Sequence, residues 1–315
     1  MGSLWTAPTS PKVINTDILV KGAGFTGTWM PQGLEQTMKD PIRISFEFFP
    51  PKTADGRAKL YRTREILQAF DPEFFSVTYG AGGTTRETTA GIVTDMCRDG
   101  ISIAPHLSFG GDNEETILGL LNLYREAGVT RIVALRGDMP SGMGAVAQLV
   151  YANELVAFIR RHSGDHFHLE VAAYPEIHPE SNSYGDDIRY LKAKFEAGAD
   201  SALTQYFYNP DSYFYFIDQC EKAGIDAPIY PGIMPINNFD SLMRFSRNCG
   251  AEIPRWLKKR MESYRNLEDI RKLGLEVVTD LCETLLEGGA PGLHFYTMNQ
   301  VDPTASILQA LSPET

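Results

Sequence analysis

The segment Ile42-Arg43-Ile44-Ser45-Phe46-Glu47-Phe48-Phe49-Pro50-Pro51 is β-branched and aromatic and stops at two prolines. That is how a buried strand reads. One carboxylate, Glu47, stands in its middle between Phe46 and Phe48. An ionised carboxylate is costly to desolvate, so a glutamate in such a strand points to chemistry rather than stability. Seven later segments repeat the pattern of a short apolar run with a polar residue at or near its C-terminal end: 74–80, 101–109, 131–138, 168–176, 201–208, 227–235 and 292–299.

Helix-period stretches alternate with these runs at 57–70, 85–98, 113–127, 146–161, 186–197 and 212–223. A longer last connection holds three more, at 239–248, 254–264 and 267–287. Gly128, Gly198 and Gly224 stand where helices should end. Strands alternating with helices give a parallel sheet. Eight such units predict a closed (β/α)8 TIM barrel of class α/β, with extra helices before strand eight. An open doubly wound sheet would show a glycine-rich turn after its first strand, where this chain has Pro50-Pro51. Residues 1–40 read as an irregular N-terminal extension and 41–315 as a single domain. The extension contains Gly22-Ala23-Gly24-Phe25-Thr26-Gly27, a GxGxxG match, but Pro31 and Gly33 follow where a dinucleotide site needs a helix.

The 315 residues carry 29 basic and 40 acidic side chains, a net charge of −11. That balance argues against nucleic acid and anionic membrane as partners. No apolar run reaches the roughly 18 residues of a membrane span. Cys97, Cys220, Cys249 and Cys282 are widely spaced and form no CxxC, as expected of reduced thiols in a cytoplasmic protein. No secretory pattern opens the chain, and the opening Met-Gly-Ser-Leu-Trp-Thr matches a myristoylation signal only weakly.

In barrels of this kind the chemistry sits at the C-terminal ends of the strands. Those ends supply Glu47, Thr78-Tyr79-Gly80-Ala81, His106, Arg136-Gly137-Asp138, Tyr174 with Glu176, His178 and Glu180, Thr204-Gln205-Tyr206-Phe207, Pro231-Gly232, and His294 with Tyr296 and Asn299. Singly, each has a structural reading: His294 as a hydrogen-bonded core residue, the tyrosines as packing, Glu47 as half of a buried ion pair with Arg136. Together, polar groups at eight strand ends are a poor way to stabilise a core. His106, Asp138, His178 and His294 are metal-ligand types, but no HxH lies on the first strand and no HExxH anywhere, so no metal is expected. On the fifth helix Asp187, Tyr190 and Lys194 share one face, and Ile188, Leu191 and Phe195 a neighbouring one. The polar face is either solvated or the wall of a ligand ending in phosphate, with Lys194 as a point charge.

The motifs Ser-Phe-Glu-Phe-Phe-Pro-Pro (45–51), Ser-Val-Thr-Tyr-Gly-Ala (76–81), Ala-Pro-His-Leu (104–107), Ala-Leu-Arg-Gly-Asp (134–138), Ala-Ala-Tyr-Pro-Glu-Ile-His-Pro-Glu (172–180), Leu-Thr-Gln-Tyr-Phe-Tyr (203–208), Pro-Gly-Ile-Met-Pro-Ile (231–236) and Leu-His-Phe-Tyr-Thr-Met-Asn (293–299) resemble, in order, those of the methylenetetrahydrofolate reductase family. The resemblance spans about residues 41–311 and implies a catalytic-barrel-only form of a flavin-dependent enzyme. It implies reduction of 5,10-methylenetetrahydrofolate to 5-methyltetrahydrofolate by NADH or NADPH through tightly bound, non-covalent FAD, in one-carbon metabolism and methionine supply. Glu47, expected to be walled by Phe46 and Phe48 and so to hold a proton, then resembles the general acid and Asp138 the aspartate near the flavin and the pterin, both catalytic and both touching substrate. Gln205, Phe245 and Gln300 resemble folate-binding positions, Gln205 and Phe245 serving the nicotinamide in turn, which implies ping-pong kinetics. Flavin contacts would be Thr78, Tyr79, Ala81, His106, Arg136, Gly137, Asp138, Tyr151, Ala152, Tyr174, His178, Asp187, Tyr190 and Lys194. Four positions depart from the family's pattern: Gln300 replaces an arginine, Ser241 a glutamine, Tyr190 an asparagine and Ala193 an arginine. A homo-oligomer is implied, and inhibition by S-adenosylmethionine is not expected. The rival readings are a flavin-free folate-binding barrel that transfers a one-carbon group, which would not need Lys194, and a non-catalytic folate or flavin carrier, which would not need Glu47.

Overall fold

A computed structural model describes residues 42–80, 85–109, 112–136 and 151–312. The extension 1–40 lies outside the described residues, as do Ala81, Gly137 and Asp138. Strands and helices alternate from the start: β1 (Ile44–Phe48), α1 (Ala54–Leu67), β2 (Phe74–Val77), α2 (Arg86–Arg98), β3 (Ile103–Leu107), α3 (Glu114–Ala127), β4 (Arg131–Ala134), α4 (Ala152–Ser163), β5 (His168–Ala173), α5 (Tyr184–Glu196), β6 (Ser201–Thr204) and α6 (Pro210–Lys222). The remainder is β7 (Ile229–Tyr230), β8 (Gly232–Ile233), α7 (Phe239–Cys249), α8 (Arg255–Ser263), α9 (Leu267–Glu287), β9 (Leu293–Tyr296) and α10 (Thr304–Leu311).

All pairings are parallel, in the order β7-β6-β5-β4-β3-β2-β1-β9-β8. The two ends of that list are one piece of chain. The expected seventh strand, 227–235, divides at Pro231, which has no N–H to place in a ladder. Ile229 and Tyr230 pair with Ala202 and Leu203 of β6, whereas Gly232 and Ile233 pair with His294 and Phe295 of β9. Pro231 itself serves as an acceptor, taking the His294 N–H at 3.0 Å. One segment therefore joins both edges of the sheet and makes it a barrel.

The period-two alternation of strands divides the core. Phe46, Phe75 and Phe295 stand in register and pack outward, with ring centroids 5.5 and 6.1 Å from Phe46. They belong to the large apolar layer between strands and helices. A separate small cluster, Phe74, Ala104, Val133, Leu203 and Tyr230, fills the barrel interior. Near the N-terminal ends of the strands that interior also holds Glu170, fully buried, in register with Val133 and Ser201. Its carboxylate accepts from Arg131 and, at 2.5 Å, from the Ser201 hydroxyl.

The helices follow their local signals. Asn113 caps α3 by accepting the Thr116 N–H at 2.9 Å, and the expected stripe Ile117, Leu120, Leu121 and Tyr124 is buried. α1 begins three residues earlier than its periodicity suggested, because Thr53 caps it through the Gly56 N–H at 3.1 Å. α5 likewise starts at Tyr184 behind the Ser183 cap. α4 is described only from Ala152, so its expected start at 146 is outside the described residues. α10 had no counterpart among the expected helices and packs on α9. Among the described residues no helix is long and apolar enough to cross a membrane.

Candidate active site

Glu47 is the fourth residue of β1 and points into the barrel, opposite in face to Phe46 and Phe48. The phenylalanines beside it in sequence therefore do not wall it, which corrects the simplest reading of that stretch. Its walls come from other strands. Glu47 Oε2 lies 3.3 Å from His106 Nε2 of β3 and 3.8 Å from His294 Nε2 of β9. The other nitrogen of His294, Nδ1, is 2.7 Å from the Ser45 hydroxyl. Ser76, in register with Glu47 on β2, is fully buried. Ser76 Oγ, His106 Nε2 and His294 Nε2 are all buried without a hydrogen-bond partner among the described residues. Unpartnered polar atoms are costly in an interior, so three of them around one carboxylate mark a place kept for something other than stability. Burial lowers the His106 pKa against the opposing pull of Glu47, with His294 adding to the lowering. The imidazole nearest the carboxylate is thus held neutral.

The floor beside Glu47 is fixed by backbone. The Thr297 hydroxyl donates to the Glu47 carbonyl at 2.7 Å. Tyr296, in register with Glu47, donates its phenol to the Thr204 carbonyl at 2.6 Å. Gly232 makes this crossing feasible, since a Cβ there would overlap that carbonyl and the Tyr296 ring. Asn299, at φ 55°, exchanges hydrogen bonds with the backbone of Phe49 at 3.0 and 2.8 Å. Its role is to tie the end of β9 to the end of β1.

A cavity of about 630 Å³ opens at the C-terminal ends of β2 to β5. Tyr79, Arg136, Tyr151, Ala152, Tyr174, His178, Asp187, Tyr190 and Lys194 line it, nine of the fourteen expected flavin contacts. Asp187, Tyr190 and Lys194 all face it, so the polar face of α5 is a cavity wall. Ile188 and Leu191 on the neighbouring face are buried as expected. Lys194 Nζ donates to the Ala172 carbonyl at 2.7 Å. Burial brings its pKa down to about 8, against the pull of Asp187 and with a small push from Arg136. Asp187 accepts from the His178 N–H at 2.5 Å and from the Ser181 hydroxyl at 2.6 Å, which shapes the loop after β5. Burial, then Arg136, lowers the His178 pKa.

Two expected contacts lie elsewhere. His106 is inside the barrel beside Glu47, and Thr78 is held by the Phe48 carbonyl and the Thr89 hydroxyl. Arg136 pairs with Glu180 at 2.6 Å, so the alternative of a Glu47–Arg136 ion pair gives way to a surface partner on the next loop. Gln205 lies in a separate recess with Tyr174, Glu176, Tyr206 and Cys249. Phe245 is exposed on α7, and Gln300 accepts from Asn237 Nδ2 at 2.9 Å. Asp112 and Ser181 were not singled out from sequence. Asp112 orients Tyr79 by accepting its phenol at 2.6 Å and pairs with Arg86 at 2.8 Å. Glu180 sat in the quoted motif after β5, and its spacing from Arg136 in sequence gave no sign of the pairing. Among the described residues no three His, Cys, Asp or Glu side chains are arranged to hold a metal.

Comparison with known proteins agrees with this architecture. The family model for methylenetetrahydrofolate reductase matches residues 33–312. The chain is 40% identical over 274 residues to 5,10-methylenetetrahydrofolate reductase of Buchnera aphidicola, covering 86% of this chain and 92% of that one. It is 38% identical over 272 residues to the same enzyme of Pectobacterium carotovorum, covering 86% and 90%. Against methylenetetrahydrofolate reductase (NADH) 1 of Arabidopsis thaliana it is 38% identical over 293 residues, covering 87% of this chain and 49% of the plant protein. A Clostridium thermocellum protein described as binding two copies of 5-methyl-5,6,7,8-tetrahydrofolic acid shares the fold at TM-score 0.58 and 18% identity, over 86% of this chain and 94% of that one. With a barrel closed through a divided strand, a carboxylate ringed by unpartnered atoms and a match across nearly the whole described region, the chain belongs to the methylenetetrahydrofolate reductase family.

Proposed function

We propose that this chain reduces 5,10-methylenetetrahydrofolate to 5-methyltetrahydrofolate in the cytoplasm, with FAD as the carrier of electrons from NADH or NADPH. The observation that carries the reading is the pairing of the α5-walled cavity with Glu47 at the strand ends next to it. The cavity's residues fit FAD. At about 630 Å³ the volume is in the usual range for a cofactor site. Lys194 and Arg136 supply cations for a diphosphate, and Tyr79, Tyr151, Tyr174 and Tyr190 supply flat faces for ring systems. This would hold FAD with no glycine-rich fingerprint. The chemistry that FAD supplies when bound is two-electron transfer between the nicotinamide and the methylene carbon.

The protein's own part is proton management and positioning. The five-membered ring of the substrate opens only if its N10 leaves protonated, and Glu47 Oε2 holds that proton. Neutral His106, 3.3 Å away, brings no competing positive charge to the carboxylate. Asp138 holds the pterin and sets a negative charge near the carrier, a role that rests on the family motif because Asp138 lies outside the described residues. Gln205 and Phe245 receive folate and nicotinamide in turn, so the kinetics are ping-pong.

An anaerobic absorbance titration tests the proposal. Purified protein reconstituted with FAD should show flavin bands that bleach with NADH or NADPH and return with methylenetetrahydrofolate. Protein that takes up no flavin, or bands that folate cannot restore after chemical reduction, would overturn it.

A further inference from the structure

Ser45 and Glu47 are two residues apart on β1, so both point into the barrel. Ser45 is in register with His294 of β9, and its hydroxyl lies 2.7 Å from His294 Nδ1. Both side chains are buried. The imidazole is caged. Its ring stacks on Phe74, with centroids 6.0 Å apart and planes at 24°, and meets the Tyr296 ring at 5.3 Å and 90°. Its backbone N–H is held by the Pro231 carbonyl. Fixed in this way, His294 turns Nε2 toward Glu47 Oε2 at 3.8 Å, and that nitrogen has no hydrogen-bond partner among the described residues.

A neutral imidazole carries its hydrogen on one nitrogen or the other, and the partner of Nδ1 decides which. If the Ser45 hydroxyl donated to Nδ1, the hydrogen would sit on Nε2. It would then be a buried N–H whose facing oxygen is beyond hydrogen-bond range. Orphaned buried donors are rarer than under-used acceptors. With the hydrogen on Nδ1, the Ser45 oxygen accepts it and Nε2 is left as a lone pair. A lone pair in that place accepts from a carboxylic acid and repels a carboxylate.

We propose that Ser45 and His294 are positioning residues that keep the Glu47 carboxyl in its protonated form, with His294 Nδ1–H donating to Ser45 and the Nε2 lone pair facing Glu47 Oε2. This rests on the general-acid reading of the preceding subsection. Such an acid must be loaded with its proton at working pH, and Phe46 and Phe48 face away and do not ensure it. Glu47 is faced by Ser76 from β2, His106 from β3, and His294 and Tyr296 from β9. Burial pushes the Tyr296 phenol far up and holds His106 neutral, so neither brings a charge to the carboxyl. Arg131 is engaged by Glu170 and Glu73 near the other ends of the strands. In the reaction the bond from the methylene carbon to N10 breaks with its electron pair going to N10. The Glu47 O–H proton joins that pair. The carboxylate left behind faces the Nε2 lone pair and recovers a proton from water before the next turnover.

Two measurements test the assignment. Nitrogen NMR of isotope-labelled histidine in the FAD-loaded protein reads the tautomer, the His294 signals being those lost in His294→Gln. They should show Nδ1 protonated and Nε2 bare, and a protonated Nε2 overturns the proposal. Stopped-flow reoxidation by methylenetetrahydrofolate across pH reads the consequence. The wild-type rate should fall on the alkaline side. Ser45→Ala should move the midpoint of that fall down by about 0.5–1 pH unit, a loss of about three- to tenfold above it, while folate affinity hardly changes. Ser45→Thr keeps the hydroxyl and should restore the midpoint. A midpoint that stays in place in Ser45→Ala, or a shift that Ser45→Thr shares, overturns the proposal. Added to Glu47→Gln, Ser45→Ala should have no further effect, and a further loss overturns the route through Glu47. Full activity of Glu47→Gln alone strikes the general-acid reading instead.

Discussion

Among the described residues the barrel encloses two carboxylates, Glu170 and Glu47, and their surroundings are opposite. Glu170, near the N-terminal ends of the strands, is fully buried and accepts from Arg131 and Ser201, with His168 Nε2 3.3 Å away. Arg131 continues to Glu73 at 2.6 Å and lies over the Phe74 ring at 4.4 Å. Every charge there has a partner. Glu47, near the other ends, has imidazole and hydroxyl groups around it that are buried and unpartnered. A carboxylate whose lone pairs are all taken is a fastening. One whose neighbours remain unsatisfied has capacity left for a proton or a ligand.

The sharpest way to break this contrast is to neutralise each carboxylate. Glu47→Gln should reduce the rate of folate reduction about 10²- to 10⁴-fold, the usual worth of a general acid, with the melting temperature unchanged or raised. Stopped-flow reoxidation of the reduced protein by methylenetetrahydrofolate reads the first effect and a thermal melt the second. A fully active variant would remove Glu47 from the chemistry. Glu170→Ala should do the reverse. It takes a fully buried acceptor away from Arg131 and Ser201, with Arg131 still paired to Glu73, and should cost about 1–3 kcal/mol in denaturant unfolding, while activity per folded molecule stays close to wild type.

The same carboxylate gives a pH dependence. Burial raises the Glu170 pKa, but His168, Arg131 and Ser201 outweigh it and hold the group below the usual carboxylate range. A depressed folded value means that stability is present above the ordinary carboxylate pKa and is lost as pH falls through the lowered one. Acid unfolding of the wild type should therefore include a component that Glu170→Gln lacks. Overlapping acid transitions for the two would refute the assignment.

These contrasts also show what the sequence could reveal. All eight strand positions were legible because each is a short β-branched run with a polar end, and the α5 face was legible because a period of 3.6 puts Asp187, Tyr190 and Lys194 together. The division of the seventh strand was not read, although Pro231 was visible, because the consequence depends on which neighbours flank it. The surroundings of Glu47 were misread for a related reason. Adjacent residues on a strand face opposite sides, so Phe46 and Phe48 could not wall it, and its true neighbours lie 59 and 247 positions along the chain at His106 and His294. Glu170 drew no attention at all, since nothing local distinguishes a fastened carboxylate from a reactive one.

Lys194 offers a graded case, a half-buried cation that is partnered but poised. With its pKa near 8, the folded protein disfavours its charged form, so its burial costs stability below that pH and the cost fades as pH rises toward the ordinary lysine value. Lys194→Met should accordingly be more stable than wild type at neutral pH without flavin. Its affinity for FAD should fall about tenfold, the loss of one charge-assisted contact. In the wild type FAD affinity should decline as pH rises through about 8, and the variant should lose that decline. Calorimetric titration with FAD at several pH values measures both, and equal affinities would take Lys194 out of the phosphate site.

Tyr79 gives the smallest effect and the finest test, because it combines the two situations. Its phenol is fastened to Asp112, which is itself paired with Arg86, yet the ring lines the cavity. Burial and the neighbouring Asp112 carboxylate both push the Tyr79 pKa up, so the phenol stays protonated and remains a donor throughout the working range. Tyr79→Phe keeps the ring and removes one hydrogen bond to a charged acceptor, with Arg86 still pairing Asp112. If satisfaction governs stability and position governs binding, this variant should lose about 1–2 kcal/mol of unfolding free energy and change FAD affinity only about two- to fivefold. Tyr79→Leu removes the flat face as well and should lower FAD affinity further with little additional loss of stability. Should Tyr79→Phe weaken FAD as much as Tyr79→Leu does, the phenol itself would be the ligand contact, and a fastened group at this end of the barrel would have to be counted among the reactive ones.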